Sequence, residues 1–376
     1  MISDPDKLRD LLAWAPALGV ISVCFEIDPG DRGEGWRIAL RDELKPVVNR
    51  TADAERELRL AVEQTAQRIV ERFPADATNP PGRCQLGFVE VARTEGEERW
   101  DHIQVRPRGT RVVRRPKPDP TSLVELVHDG APALAIAVSS ERVRLWRSEF
   151  GRVSEVALWE ADFDTDTWRE RRARVTRDPA SAHFPTAAGK DQLAQRVAAN
   201  RERFLREVGK RIRDQDTDSV TAIVAFGAPE WVRGVEVGLG NEHAISHAGN
   251  QDVVSEDRDR IAARLDDALA ELHRQSELEL VEHAVEATRA GGDASLGLQE
   301  ILQALTEGRV ANLICDPERP PSADGVELPE WRDPDDPLPS AMIEQALKTS
   351  ATVTPVHGKA ADALADVGGA AALLRY

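Results

Sequence analysis

The chain has 376 residues, 41% of them apolar and 31% charged, and a net charge of −17. That length exceeds one ordinary core and calls for two or three units of the usual soluble composition. No apolar run is long enough to span a bilayer, and the N-terminus is too charged for a secretory signal, so a cytoplasmic protein with no membrane partner is expected.

Aromatic residues make up only 5%, which argues against broad stacking platforms for single-stranded nucleic acid. Cys24, Cys84 and Cys315 are far apart and form no CxxC pair. Cys24 and Cys315 lie in strand-like runs and read as buried, reduced thiols, so neither a metal nor a cofactor is expected.

In chain order, the first third reads as α/β. Leu8, Leu11 and Leu12 mark a helix over 4–14. Residues 19–27 form a buried strand that ends at the turn cluster Asp28-Pro-Gly-Asp-Arg-Gly. Helices are predicted over 36–45 and 53–73, and strands over 84–92 and 102–113, with an acidic turn at Glu95-Gly-Glu-Glu between the strands.

The second third begins after Pro116-Lys-Pro-Asp-Pro. It predicts a helix over 123–128 and strands over 133–138, 142–148 and 151–159. An irregular segment over 161–187 follows, then a helix over 192–213 and a strand over 220–226. The last third predicts helix over 256–289 with a break near Gln275-Ser276, a helix over 298–305 and a strand over 309–315. The segment 316–339, with seven prolines, reads as a surface loop or lid. A helix over 342–348, a strand over 351–356, a helix over 359–366 and a terminal strand over 370–376 complete the chain. Alternating strands and helices in every third indicate an α/β fold.

Charge is distributed unevenly. Residues 169–213 hold 13 Lys/Arg against 5 Asp/Glu, a local +8, so the rest of the chain sums to −25. A second run, Arg106-Pro-Arg-Gly-Thr-Arg-Val-Val-Arg-Arg-Pro-Lys117, has six Lys/Arg and no acid. Basic islands on an acidic body suit docking of one face on a polyanion. The RNA-contact candidates are Arg106, Arg108, Arg111, Arg114 and Arg115 in the second run. In the first they are Gly189, Lys190, Asp191, Gln192, Gln195, Arg196, Arg201, Arg203 and Arg206. The competing reading of such runs is a solvated helix face.

Enzymatic motifs are thin. Lys190 belongs to no phosphate loop, since Asp191 stands where a magnesium-binding hydroxyl is needed. Glu242-His-Ala-Ile-Ser-His247 lacks the catalytic Glu of HExxH and reads as surface histidines. No GxSxG turn is present.

The order of parts resembles the archaeal and eukaryotic class I peptide-chain release factors and their Pelota relatives. More narrowly, it resembles their bacterial counterparts, the group that includes the ribosome hibernation factor Balon. Three segments carry the likeness: Ala133-Leu-Ala-Ile-Ala-Val-Ser-Ser-Glu-Arg-Val-Arg-Leu-Trp146, Asn200-Arg-Glu-Arg-Phe-Leu-Arg-Glu-Val, and Gly297-Leu-Gln-Glu-Ile-Leu-Gln-Ala-Leu-Thr-Glu-Gly-Arg-Val-Ala-Asn-Leu-Ile. The last is similar to the family's third-domain signature, with Ile301 as a conservative departure.

The resemblance implies an N-terminal domain over 1–115, an RNase H-like middle domain over 118–250, and a third domain over 255–376 similar to kink-turn-binding ribosomal proteins. It also implies binding in the ribosomal A site, with ribosomal RNA, transfer RNA and a translational GTPase as partners.

Two departures shape the function expected. Where release factors carry Gly-Gly-Gln, this chain reads Ala187-Ala-Gly-Lys-Asp-Gln192, and the first unit lacks the Asn-Ile-Lys-Ser loop of stop-codon readers. A non-enzymatic hibernation or stress-response factor without termination activity is therefore expected. Two alternatives stand: a peptidyl-tRNA hydrolase using Gln192 in rescue of stalled ribosomes, and a protein-interaction module that keeps only the fold.

Overall fold

The computed structural model describes residues 10–27, 35–73, 81–161, 187–215, 217, 219–240, 244–334 and 336–376. The chain forms two compact units. One joins residues 1–130 to 270–376, and the other comprises 131–269. Residues 1–9, the turn at 28–33 and most of the segment 161–187 lie outside the described residues.

The second unit is built on a five-stranded sheet in the order β7-β6-β5-β8-β9. Its strands are β5 (Ala133–Val138), β6 (Arg142–Glu149), β7 (Arg152–Glu160), β8 (Ala222–Phe226) and β9 (Ile245–Gly249). β5 pairs antiparallel with β6, and β6 with β7, whereas β5–β8 and β8–β9 are parallel.

Strand periodicity assigns the two faces. Leu134, Ile136 and Val138 pack against Leu205, Val208 and Ile212 of helix α4 (Ala187–Arg213) and against Val232 and Val235 of α5 (Pro229–Leu239). The smaller Ala133, Ala135 and Ala137 face Ile261, Leu265 and Leu269, on the N-terminal part of α6 (Arg258–Arg289). β6 turns into β7 through Phe150 and Gly151, both at positive φ (47° and 71°), as a tight right-twisted hairpin requires.

Helices α4 and α5 touch backbone to backbone because glycines line the seam. A Cβ on Gly209 would lie 2.2 Å from the carbonyl oxygen of Val235, and one on Gly238 would lie 2.0 Å from that of Arg206.

The first unit carries two sheets. One, ordered β3-β2-β1-β4, is antiparallel throughout: β1 (Val20–Glu26), β2 (Cys84–Glu90), β3 (Glu98–Ile103) and β4 (Arg111–Arg115). Ile21, Val23, Phe25, Val89 and Val112 face helices α1 (Gly35–Asn49) and α2 (Arg56–Glu71) through Trp36, Leu40, Val62 and Ile69. The strand expected over 102–113 is instead two strands. Pro107 lacks a backbone donor, and Gly109 weakens the extended run between them.

The other sheet, ordered β10-β13-β11-β12, comprises β10 (Ala294–Leu296), β11 (Val310–Cys315), β12 (Thr352–Pro355) and β13 (Ala370–Leu374). Leu313 and Ala372 face α7 (Leu298–Glu307) and α8 (Leu338–Lys348). Ile314 and Ala371 face α9 (Gly358–Ala365) and Val281 and Ala284 of α6. The break expected near Gln275-Ser276 is absent. Neither residue opposes helix strongly, Gln275 bonds Glu271 at 2.8 Å, and the ladder continues.

The two parts of this unit are joined around Arg115, whose side chain is fully buried. Its Nε and one terminal nitrogen donate to the two oxygens of Asp336 at 3.0 and 2.6 Å, and the same nitrogen reaches Glu344 at 3.2 Å. Its other nitrogen donates to the carbonyl of Pro118 at 3.3 Å.

Asp119, also buried, accepts from Ser340 at 2.7 Å and from Arg111 at 3.2 Å, while its backbone N–H donates to Ser22 at 2.8 Å. The segment over 316–339 is irregular, as expected, but it is more than a surface lid. Asp336 is buried against Arg115, and Trp331 donates its indole N–H to Thr306 at 2.9 Å.

Two consequences are measurable. Arg115→Ala leaves Asp336 in low dielectric without its charge partner and takes one cation from Glu344 and Asp119, and it is expected to destabilise the first unit by about 3–5 kcal/mol in urea unfolding. Gly238→Val drives a side chain onto the backbone of α4 and is expected to cost about 1–3 kcal/mol, read the same way.

Candidate nucleic-acid interface

Helix α4 carries most of the described part of the basic island. It begins at Ala187, so Gly189, Lys190, Asp191 and Gln192 stand on its first turns and not in a loop ahead of it. The sequence explains the early start: Ala187 and Ala188 are strong helix formers, and the next proline back is Pro185. Gln195 and Arg196 are exposed.

Leu205, Val208 and Ile212 fix which face is buried. Arg196, Arg203 and Lys210, spaced by seven, then fall on the opposite face, and all three are exposed. Lys210 lies 3.7 Å from Glu207, and Arg206 pairs with Glu202 one turn away at 2.5 Å.

Arg201 does a different job. It donates to the carbonyl of Ser140 at 3.0 Å and lies 4.8 Å from the ring centre of Trp231. It therefore ties α4 to the β5–β6 connection and to α5, and it is not part of the exposed stripe.

The run 106–117 is largely occupied inside the first unit. Arg106 meets Glu26 at 2.5 Å, Arg111 meets Asp119, and Arg114 donates to the carbonyl of Leu18 at 2.9 Å. Arg108 grips Asp129 through two bonds of 2.9 and 2.7 Å and reaches Glu277 at 3.0 Å. With Arg115 wholly enclosed, Arg108, Arg111 and Arg115 are committed to carboxylates of this fold. The acids that neutralise them lie elsewhere in the sequence, so charge counted over twelve residues misreads the run.

Around Arg108 the fold gathers histidines and acids that sequence reasoning missed. α3 (Thr121–Asp129) contributes Glu125, His128 and Asp129, α6 contributes His273 and Glu277, and the residue before α9 is His357. The spacing of His273 and Glu277, one helical turn apart, was the available signal.

His273 Nδ1 lies 3.6 Å from Asp129, His128 Nε2 lies 3.9 Å from Glu277, and His357 Nε2 lies 3.6 Å from Glu125. The imidazoles of His128 and His273 are tilted, with centres 5.0 Å apart. Arg108, Arg111, Glu125 and Asp129 also line a cavity of about 410 Å³ in this unit, closed on another side by Pro317, Pro320 and Pro337.

Burial dominates the protonation of this cluster. It pushes Glu125 up to about 7 against the pull of Arg111 and Arg108. It lowers His128 to about 4, helped by His273, and His357 to about 4, helped by Arg108. The close approach of His357 to Glu125 is therefore not a neutral-pH ion pair, since burial favours the uncharged form of each. Burial would raise Asp129 too, but the hydrogen bonds from Arg108 and His273 hold it well below the carboxylate range.

Elsewhere, His247 bonds the carbonyl of Gly227 at 2.7 Å from β9, while Glu242 and His243 lie outside the described residues. No described helix is long and apolar enough to cross a membrane.

The central part of the chain is similar to a known class. Residues 133–268, the sheet and helices of the second unit, match the bacterial archaeo-eukaryotic release factors. The particular match is to Bacterial archaeo-eukaryotic release factor family 5.

Among solved structures, the archaeal translation termination factor aRF1 shares 16% identity, with 99% of this chain and 97% of that one covered, at a TM-score of 0.26. Archaeal Pelota, from a model of ribosome-bound Pelota and ABCE1, shares 14% over 78% of each chain at a TM-score of 0.40. Dom34 of S. cerevisiae, a translation termination-like factor interacting with Hbs1, shares 10% over 78% of this chain and 80% of its own, at 0.38. No curated protein matches.

The cluster around Arg108 makes stability depend on pH in two opposed ways. A histidine with a depressed native pKa contributes stability that is full above the unfolded value near 6.5 and is lost as pH falls toward 4. Glu125, with a raised value, contributes in the opposite sense between about 4.5 and 7. Urea unfolding across this range is expected to show a shallower acid decline in His357→Asn and a steeper one in Glu125→Gln than in the parent chain.

Proposed function

We propose that the protein is a ribosome A-site-binding translation factor of the release-factor and Pelota superfamily, of hibernation or stress-response type and without termination activity. The observation that carries this reading is the release-factor match over 133–268, on a unit whose helix α4 presents Arg196, Arg203 and Lys210 as one exposed basic stripe. A stripe of that kind on a chain of net −17 favours one orientation on a polyanion such as ribosomal RNA.

Three domains, over 1–115, 118–250 and 255–376, are part of the proposal. The order β7-β6-β5-β8-β9, with two antiparallel and then two parallel pairings, supports an RNase H-like middle domain. The sheet and helices over 294–374, with the signature at 297–314, support a third domain similar to kink-turn-binding ribosomal proteins. Contact of that domain with a translational GTPase, and of α4 with transfer RNA, belongs to the same reading.

The absence of termination activity is argued from residue chemistry. A Gly-Gly pair gives a loop the backbone freedom to enter a crowded catalytic centre, and this chain offers only Gly189, followed by Lys190 and Asp191. The position is the beginning of a helix, and inserting two charged side chains into a desolvated centre carries a penalty of several kcal/mol.

Co-sedimentation with ribosomes tests the reading. Association is expected to fall steeply with salt. Arg196→Glu/Arg203→Glu/Lys210→Glu is expected to flatten the plot of log affinity against log salt by about 2–3 units, roughly one per lost phosphate contact. Arg201 is left intact because it holds the fold. A programmed ribosome complex should release no nascent peptide, and Gln192→Ala should bind as the parent does. Release abolished by Gln192→Ala would instead establish the peptidyl-tRNA hydrolase. Binding that ignores both salt and the triple substitution would leave the protein-interaction module.

A further inference from the structure

We infer that His128, Asp129 and His273 form a binding site for a late first-row divalent cation of the zinc type, in the first unit and independent of the proposed ribosome contact. Among the described residues these three bring one ligand atom each to within 4.8 Å of one another. A tetrahedral ion bound at about 2.0–2.1 Å separates its ligands by roughly 3.4 Å, so modest side-chain rotation closes the set. Two imidazoles and one carboxylate select zinc and its neighbours over magnesium or calcium, which demand oxygen.

Three further observations point to a cation here. His128 Nε2 is buried and has no hydrogen-bond partner among the described residues, and a bound ion would satisfy it. His128 and Asp129 close helix α3, whose terminal carbonyls make that end partially negative. Glu277 adds a further carboxylate, 3.9 Å from His128 Nε2.

Arg108 is the obvious competitor, and its geometry allows both. Its terminal nitrogen is shared between Asp129 Oδ1 and Glu277, while its Nε holds Asp129 Oδ2. When Oδ1 turns to the ion, Arg108 keeps one bond to each acid and becomes an outer partner that orients the ligating carboxylate. Three protein ligands leave a fourth position for water or an incoming group. Asp129 also lines the 410 Å³ cavity, which provides an entry path.

The test uses the full chain, purified without a polyhistidine tag, stripped with a chelator and dialysed. Gel filtration after incubation with zinc chloride is expected to leave one equivalent of zinc on the protein. Cobalt(II) should give the visible bands of a low-coordinate site and lose them to added zinc. His273→Asn and His128→Ala should each weaken retention about tenfold or more. Thermal unfolding keeps the test fair if a variant is unstable: zinc should raise the midpoint of the parent and leave that of each variant unmoved. Failure of the parent to retain zinc, or equal retention by the parent and both variants, would overturn the assignment.

Discussion

A guanidinium with no access to solvent organises the larger unit. Arg115 stands at the end of β4, on the side of that strand away from α1 and α2, and a buried cation tolerates no vacancy among its acceptors. Asp336 takes it in a two-pronged grip, Glu344 and the Pro118 carbonyl take what remains, and Asp119 closes the ring 3.6 Å away. Lys117 and Lys348 share Glu344 in turn, at 3.1 and 2.9 Å. Partners 221 and 229 residues distant are thereby fixed to one strand end. Such a network contributes less net stability than its bond count suggests, because Arg115, Asp119, Asp336 and Glu344 are desolvated, but it penalises any arrangement that leaves one unpaired. Residues 1–130 and 270–376 are held in one unit under that constraint.

The same constraint shows where the sequence could and could not be read. Strand β5 was legible because six consecutive apolar residues admit little else at that length, and α7 was legible from its spacing and its closing Gly308. The run 106–117 was not. Six cations with no acid inside the run read as a basic patch until Asp119, just beyond it, and Asp129, Glu277, Asp336 and Glu344 are known to converge on Arg108, Arg111, Arg115 and Lys117, and that convergence is a property of tertiary structure. The contacts of Arg201 with Ser140 and Trp231 were hidden for a related reason, since they are set by packing. The His128–Asp129–His273 grouping was hidden because its members come from two helices more than a hundred residues apart, and only the turn from His273 to Glu277 was visible locally.

The stripe on α4 depends on features far from charge. Gly209 and Gly238 let α4 and α5 approach until backbone meets backbone, and Leu205, Val208 and Ile212 fix the rotation of α4 against the sheet. Rotation decides which residues face outward. Arg196, Arg203 and Lys210 share one line because the buried triad occupies the other, so the presentation of charge here is a packing result. The early part of α4, from Ala187, belongs to this same helix.

The position of β13 carries a consequence for biosynthesis. That strand lies between β10 and β11, so the sheet over 294–374 has no continuous ladder until residue 374 exists. Residues 131–269 need nothing later in the chain to complete their own sheet. At about 5–20 residues per second, some 5–20 s separate translation of residue 269 from that of residue 374. Until Asp336 is made, the amino-terminal segment, whose own sheet is already complete, displays Arg115 without the carboxylate that later grips it. Nascent chains of this protein therefore pass through a stage in which the sheet of 131–269 is complete while the buried cation that joins 1–130 to 270–376 still lacks its acceptors.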